Sequence, residues 1–178
     1  MMRREMGRIF QSAALFDSLS VWENVMFPRE RFASMNLKES IHRAQECLDR
    51  GNLIDAQKKY PDEISGGRQQ RVAMARAIAL NPQSLFCDEP NAGLDPKTSL
   101  VIDVLLHGIT QEYNITTIIN THDMNSVMGI GEHIIFIYQG HKEWEGTKDD
   151  VMGATNERLN DFIFASDLFK KVKKAYEK

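Results

Sequence analysis

Short apolar runs rich in β-branched residues alternate along the chain with longer stretches in which apolar positions recur every three or four residues. That is the pattern of strands alternating with helices. Arg8-Ile9-Phe10-Gln11 reads as a short extended segment entering a loop. Val21 to Phe27 reads as a short helix stopped by Pro28. Leu37 to Arg50 is amphipathic, with Ile41, Ala44 and Leu48 on one face and Gly51 as its stop. Arg68 to Leu80 is an Ala-rich helix that turns Val72, Ala75 and Ile78 or Ala79 inward and ends at Asn81-Pro82. Ser84 to Asp88 is an apolar strand ending in acid. Asp95 as N-cap and Pro96 at the first helical position open a helix to about Tyr113, with Leu100, Val101, Val104, Leu105 and Ile109 on its apolar face. Ile115 to Ile119 reads as a buried strand and His133 to Tyr138 as another, with Gln139-Gly140 turning back toward Lys142-Glu143-Trp144. Asn156 to Lys178 reads as helical, carrying Leu159, Phe162, Ile163 and Phe169.

The run of strand, helix, strand, helix, strand from Ser84 to Tyr138 predicts an α/β fold with a mostly parallel sheet flanked by helices. Ligands of such sheets gather at the carboxyl ends of the strands, where Asp88-Glu89 and Thr121-His122 fall. A length of 178 residues points to one domain with a core of its own. The 22 basic against 25 acidic side chains leave a net charge of −3, which argues against a nucleic-acid partner. Cys47 and Cys87 match no metal spacing and suit a reducing cytoplasm. No run approaches eighteen apolar residues, so no membrane span is expected.

Four local patterns carry chemistry, and each has a plain structural alternative. Glu63-Ile64-Ser65-Gly66-Gly67-Arg68 precedes the Ala-rich helix; its hydroxyl and free amides suit a phosphate, or form an ordinary capped turn. In Leu85-Phe86-Cys87-Asp88-Glu89-Pro90, Asp88 can hold Mg²⁺ and Glu89 can polarise a water, or both can bond to loop amides. Asn91-Ala92-Gly93-Leu94-Asp95-Pro96 is a loop with a capped helix start. In Ile119-Asn120-Thr121-His122-Asp123, an imidazole at a strand end can meet a terminal phosphate, or be structural. The order and spacing change the weighing: Gln11 to Ser65 is 54 residues, Ser65 to Asp88 is 23 and Glu89 to His122 is 33.

In that order the series resembles the ATP-binding subunit of an ABC transporter, over nearly all of Gly7 to Gly146. Gln11 matches the Q-loop glutamine, and Ile64-Ser65-Gly66-Gly67-Arg68 the LSGGQ signature. Leu85-Phe86-Cys87-Asp88 with Glu89 matches Walker B and the catalytic glutamate, Ala92-Gly93-Leu94-Asp95 the D-loop, and His122 the H-loop histidine. The resemblance implies a P-loop NTPase-like sheet with an α-helical subdomain. Residues 12–75 would carry the Q-loop, helical subdomain and signature, 82–146 the Walker B to H-loop core, and 147–178 a C-terminal helical extension. It implies ATP and Mg²⁺ as cofactors in a head-to-tail dimer with a second ATPase subunit, each ATP lying between one subunit's Walker motifs and the other's signature. By that likeness Asp88 and Gln11 serve the metal, Glu89 activates water, and His122 holds the γ-phosphate. Ser65, Gly66, Gly67, Arg68 and Asp95 would line nucleotide bound by the opposite subunit. A membrane permease subunit would dock on residues 12–60, placing the protein on the cytoplasmic face of the inner membrane.

Three positions depart from the pattern. Arg68 replaces the signature's usual Gln, and Gly93 stands where Ala is common. No Gly-x-x-x-x-Gly-Lys-Ser/Thr occurs in the 178 residues, nor does the aromatic that stacks on adenine. The chain begins at the strand feeding the Q-loop, as though its first third had been cut away, so these residues alone are expected to bind ATP poorly and hydrolyse almost none. Gln11-Ser12-Ala13-Ala14-Leu15-Phe16, then Ser20-Val21-Trp22-Glu23-Asn24-Val25 and Pro28, is similar to the ATPases of Mla or MCE-type phospholipid trafficking. The helix to Lys178 fits that class, and its Lys170-Lys171-Val172-Lys173-Lys174 run reads as a solvated basic end or a lipid contact. Two alternatives stay open: a non-catalytic module lending Ser65-Gly66-Gly67 to an intact partner, and a soluble ABC ATPase outside transport.

Overall fold

The computed structural model describes residues 5–32 and 36–164. It divides into two compact units, one up to His122 and one from Asp123, where a single domain is expected from the length.

The first unit is built on a three-stranded parallel sheet, β1 (Met6–Ile9), β2 (Ser84–Asp88) and β3 (Thr116–Asn120), in that order. Register sets its two faces. Gly7, Leu85 and Thr117 share one row and Ile9, Cys87 and Ile119 another; Leu85, Ile9 and Cys87 on this face are buried. Between these rows, Arg8, Phe86 and Ile118 point to the opposite face, where Phe86 is 37% and Ile118 54% exposed. β3 is therefore not the fully buried strand that its β-branched run predicts. Period-two alternation puts every second apolar side chain on the open face.

Between β1 and β2 come helices α1 (Val21–Phe32), α2 (Leu37–Arg50) and α3 (Gly66–Ile78), with single turns at Ile54–Ala56 and Pro61–Glu63. α1 runs through Pro28 rather than stopping there. A proline removes one helical bond, and here Arg29, 2% exposed, anchors the continued turn by donating from Nη1 to Ala79 O at 2.6 Å. α2 buries Ser40, Ala44, Cys47 and Leu48, while Ile41 stays exposed, so the buried stripe is shifted by about a residue. Gly51 ends α2 in a right-handed conformation, and the left-handed residue is Asn52 at φ 51°. α3 starts two residues earlier than expected and packs on β1 so closely that a Cβ on Gly7 would lie 2.8 Å from Ala77 O.

Helix α4 (Pro96–Glu112) crosses from β2 to β3. Its buried apolar residues are Ile102, Leu105, Leu106 and Ile109; Leu100, Val101 and Val104, expected inside, are exposed. The face followed from Leu105 and Ile109 was correct, but Ile102 and Leu106 complete it, one helical turn apart.

In the second unit, β4 (Ile134–Tyr138) does not extend a parallel sheet. It pairs antiparallel with β5 (His141–Gly146) through a tight turn in which Gln139 and Gly140 have φ 48° and 79°. Two positive φ values are what a two-residue hairpin turn requires. Helices α5 (Met124–Ile130), α6 (Lys148–Met152) and α7 (Glu157–Ile163) surround a small core of Val151, Leu159, Ile163 and Phe164, with Met124, Ile134, Phe136 and Trp144 against it. The helix expected to Lys178 is seen as Glu157–Ile163; Phe169 and the Lys170–Lys174 run lie outside the described residues. No described helix is long and apolar enough to cross a membrane.

Candidate functional site

Parallel pairing brings the carboxyl ends of β2 and β3 side by side, with Asp88 opposite Asn120. Asn120 Nδ2 donates to Asp88 Oδ1 at 2.8 Å. The chain then turns: Glu89 adopts φ 45°, a left-handed conformation that costs a non-glycine residue about 1–2 kcal/mol. Its N–H donates to Asn120 O at 2.8 Å, which fixes the turn. The carboxylate is thereby swung toward the end of β3, where Oε1 lies 2.8 Å from His122 Nδ1. Asp88, Glu89 and His122 thus form one cluster, although Glu89 and His122 are 33 residues apart in sequence. Asn120 was not anticipated. Its signal in the sequence is a polar residue closing the β-branched run of β3.

Gln11 follows β1, which runs parallel to β2, so it emerges at the same end of the sheet. Beyond it, Ser12, Ala13 and Ala14 have φ 63°, 62° and 44°. The loop is tied down by α1: Asn24, fully buried, accepts from Phe16 N at 2.9 Å and offers Nδ2 to the carbonyls of Phe16, Leu19 and Ser20 at 3.0–3.1 Å. Ser20 and Glu23 cap α1 reciprocally, Glu23 Oε2 accepting from Ser20 N at 2.7 Å.

The Ser65-Gly66-Gly67 turn forms the N-terminus of α3. Ser65 occupies the N-cap position with extended backbone, but its side chain makes no cap bond, contrary to the capping expected of it. The first amides of a helix have no partner within it, so hydroxyl and amides are presented together. Gly67 is required by packing: a Cβ there would meet Thr98 Cγ2 at 2.3 Å. Thr98 in turn is bonded to Asp95, which accepts from Lys97 N and Thr98 N at 3.0 Å and from the Thr98 hydroxyl. These bonds, that from Thr98 Oγ1 foremost, hold the Asp95 carboxyl below its usual range. Asp95 therefore spends its oxygens on the cap of α4. Arg68 is likewise committed, in an ion pair with Asp55. That hydrogen bond lowers the Asp55 carboxyl.

Among the described residues no three His, Cys, Asp or Glu side chains gather as a protein-only metal cage. The Asp88 carboxylate, with Oδ1 held by Asn120, is a hard oxygen donor of the kind Mg²⁺ takes, since that ion binds through one or two carboxylates and keeps its remaining positions for water and phosphate oxygens. Gln11, beyond the same end of the neighbouring strand, carries a second side-chain oxygen.

Comparison with known proteins bears on the family and the fold. The family model for ABC transporter matches residues 1–92. The methionine import ATP-binding protein MetN of Carboxydothermus hydrogenoformans is 41% identical over 150 residues, covering 84% of this chain and 44% of that protein. The histidine transport ATP-binding protein HisP of Pseudomonas aeruginosa is 37% identical over 163 residues, covering 90% of this chain and 64% of that one. The chain thus spans about half the length of the curated relatives it matches. Among solved structures, the dimeric bacterial ABC transporter cassette MJ0796 superposes with a TM-score of 0.72 at 38% identity, covering 83% of this chain and 65% of that one. CbiO1 of Clostridium perfringens, part of the transporter complex cbiONQ, does so with 0.78 at 27% identity, covering 99% and 68%. These named relatives are not phospholipid-transport ATPases, so the lipid cargo expected from Gln11–Phe16 and Ser20–Val25 draws no support from them. The fold is that of ABC cassettes, and the chain belongs to the ABC transporter family.

Proposed function

We propose that the protein carrying these residues hydrolyses ATP to drive solute transport through a membrane partner. The observation that carries this reading is the Asp88, Glu89 and His122 cluster at the ends of two adjacent parallel strands. Glu89 accepts a proton from a water as its oxygen attacks the γ-phosphorus, while the bond to the β–γ bridging oxygen breaks and ADP leaves. His122 orients the Glu89 carboxylate and faces the γ-phosphate. Asn120 fixes one oxygen of Asp88 and leaves the other for the metal. Asp88 and Gln11 would hold Mg²⁺, which would supply neutralisation of phosphate charge. Gln11 links that metal to the membrane partner, and Ser65, Gly66 and Gly67 offer hydroxyl and amides to nucleotide on a second ATPase subunit; Asp95 and Arg68 act at one remove, by holding α4 and the signature turn. The 178 residues alone, with no Gly-x-x-x-x-Gly-Lys-Ser/Thr, are proposed to turn over almost no ATP.

A groove of about 750 Å³ beside the Gln11 loop, lined by Met6, Phe10, Phe16, Phe27, Pro28 and Phe32, favours a membrane permease subunit as partner. The protein would then sit on the cytoplasmic face of the inner membrane. Cargo has two candidates. The names of the relatives favour an amino acid, and the resemblance of Gln11–Phe16 and Ser20–Pro28 to lipid-trafficking ATPases favours a phospholipid. The test is purification of the protein with its membrane partner from the source cell, followed by ATP turnover with wild type and Glu89→Gln. Stimulation by an amino acid or by lipid decides the cargo. Recovery with ribosomes or DNA and no membrane protein would overturn the transport reading. Turnover by the partner that persists with Glu89→Gln here and stops on Ser65 and Gly66 replacement would favour the module that only lends its signature.

A further inference from the structure

The segment after Gln11 is held in a form its residues do not favour. Ser12, Ala13 and Ala14 stand consecutively in the left-handed region, and none is glycine. The two alanines have no side-chain group to hydrogen-bond in compensation. Such backbone persists only where its surroundings over-determine it. Arg76, on α3, supplies much of that constraint. Its Nη2 donates to Ala13 O and its Nη1 to Ala14 O, both at 2.9 Å, and its guanidinium lies 5.9 Å from the centre of the Phe16 ring. Gln70, also on α3, reaches Phe10 O at 3.4 Å. Among the described residues no carboxylate forms an ion pair with Arg76. A largely buried cation is therefore committed to two carbonyl oxygens of one strained loop.

We propose that Arg76 is a positioning residue that latches the Gln11 loop in its left-handed form and ties it to the signature helix. The same helix presents Ser65, Gly66 and Gly67 at its other end, nine residues away, roughly 14 Å along a rigid rod. The Arg76 end of that rod is fixed further, since Arg29 bonds Ala79 O and Arg43 bonds Ile78 O. Movement of the signature turn is thus passed to the loop that places Gln11, and the reverse. The coupling to nucleotide rests on the function proposed above; the latch itself does not.

The test is amide hydrogen exchange on the full protein from its source, comparing wild type, Arg76→Ala, Arg76→Lys and Arg76→Ala with Ala14→Gly. Arg76→Ala should speed exchange of Ala13 and Ala14 about tenfold, with the interior of α3 and β2 unchanged. Lysine, reaching one carbonyl rather than two, should give an intermediate rate. Glycine at 14 takes a left-handed backbone without steric cost and should restore at least half of the lost protection. If Arg76→Ala unfolds the protein, the lysine variant decides alone. Unchanged exchange at Ala13 and Ala14, or a rise shared equally by α3 and β2, overturns the latch. In the membrane complex, Arg76→Lys should lower kcat for ATP about tenfold while KM stays within twofold; unchanged kcat overturns the coupling. A wild-type complex with no turnover overturns the ATPase reading instead, and exchange still decides the latch.

Discussion

His122 Nδ1 stands 2.8 Å from Glu89 Oε1, and the two residues reach one another only because β2 and β3 are neighbours in parallel register. The imidazole is three-quarters exposed and the carboxylate about one-fifth, so the pair has one partly covered member and one facing solvent. A histidine so exposed contributes little to the core. Its position suits contact with a ligand entering from the strand ends.

In the transporter-borne protein, Glu89→Gln should lower ATP turnover at least about 100-fold, the range of a lost general base, while nucleotide binding is retained. His122→Ala should fall by a similar factor. Asn120→Val, which removes only the bond to Asp88, should raise the Mg²⁺ concentration for half-maximal turnover several-fold and leave thermal stability nearly unchanged. Turnover indifferent to Glu89→Gln would remove the general-base assignment.

Gly67 and Thr98 form a second coupled pair. A methyl at position 67 would overlap Thr98 Cγ2 at 2.3 Å, and overpacking of that kind costs about 1–3 kcal/mol. Gly67→Ala should therefore lower the urea midpoint. Thr98→Ser keeps the hydroxyl that bonds Asp95 and deletes the offending methyl, so the double variant should recover most of the loss. Additive losses in the double-mutant cycle would show that Gly67 is needed for another reason.

Asp95 gives a pH signature. The Thr98 hydroxyl and amide bonds hold its carboxyl below the ordinary 3.8. A depressed folded pKa stabilises the fold at pH values above 3.8, and the contribution is lost as pH falls through the folded value. Asp95→Asn keeps an acceptor for the amides but cannot titrate. Its thermal midpoint should lie below that of wild type at pH 7 and should fall less steeply between about pH 5 and 2. Parallel acid limbs in the two proteins would count against the assignment.

What the sequence made legible follows from the range of the forces involved. α2 and β2 appear with the expected bounds, and α4 begins at Asp95 and Pro96, because caps, periodicity and proline act within a turn or two. Pro28 misled because the helix is continued by Arg29 bonding a carbonyl 50 residues away. Leu100, Val101 and Val104 misled because apolar spacing cannot say which of two overlapping stripes finds a partner. For β4, the turn at Gln139-Gly140 is legible in the sequence, whereas its antiparallel pairing with β5 rather than with the parallel sheet depends on three-dimensional neighbours. At the site, the order of motifs located Asp88, Glu89 and His122, while the use of Asp95 as a cap and of Arg68 against Asp55 depended on three-dimensional neighbours.

Cys47 and Cys87, 1% and 2% exposed, are neutral thiols whose pKa values burial pushes up to about 11 and about 12. An acid group that resists ionisation when folded favours the unfolded chain once solution pH passes its unfolded value. Stability should be full below about pH 9 and should decline as pH rises toward 11, by about 3 kcal/mol for Cys47 alone. Urea midpoints at pH 8 and pH 10.5 read this directly. The Cys47→Ala, Cys87→Ala protein should be less stable at pH 8, because of the cavities left, yet should lose much less between the two pH values. The same burial predicts that a disulfide reagent at pH 8 labels neither thiol in the folded chain and both in urea. Prompt labelling of either in the folded state would mean that the core around α2 or β2 opens far more readily than its packing implies.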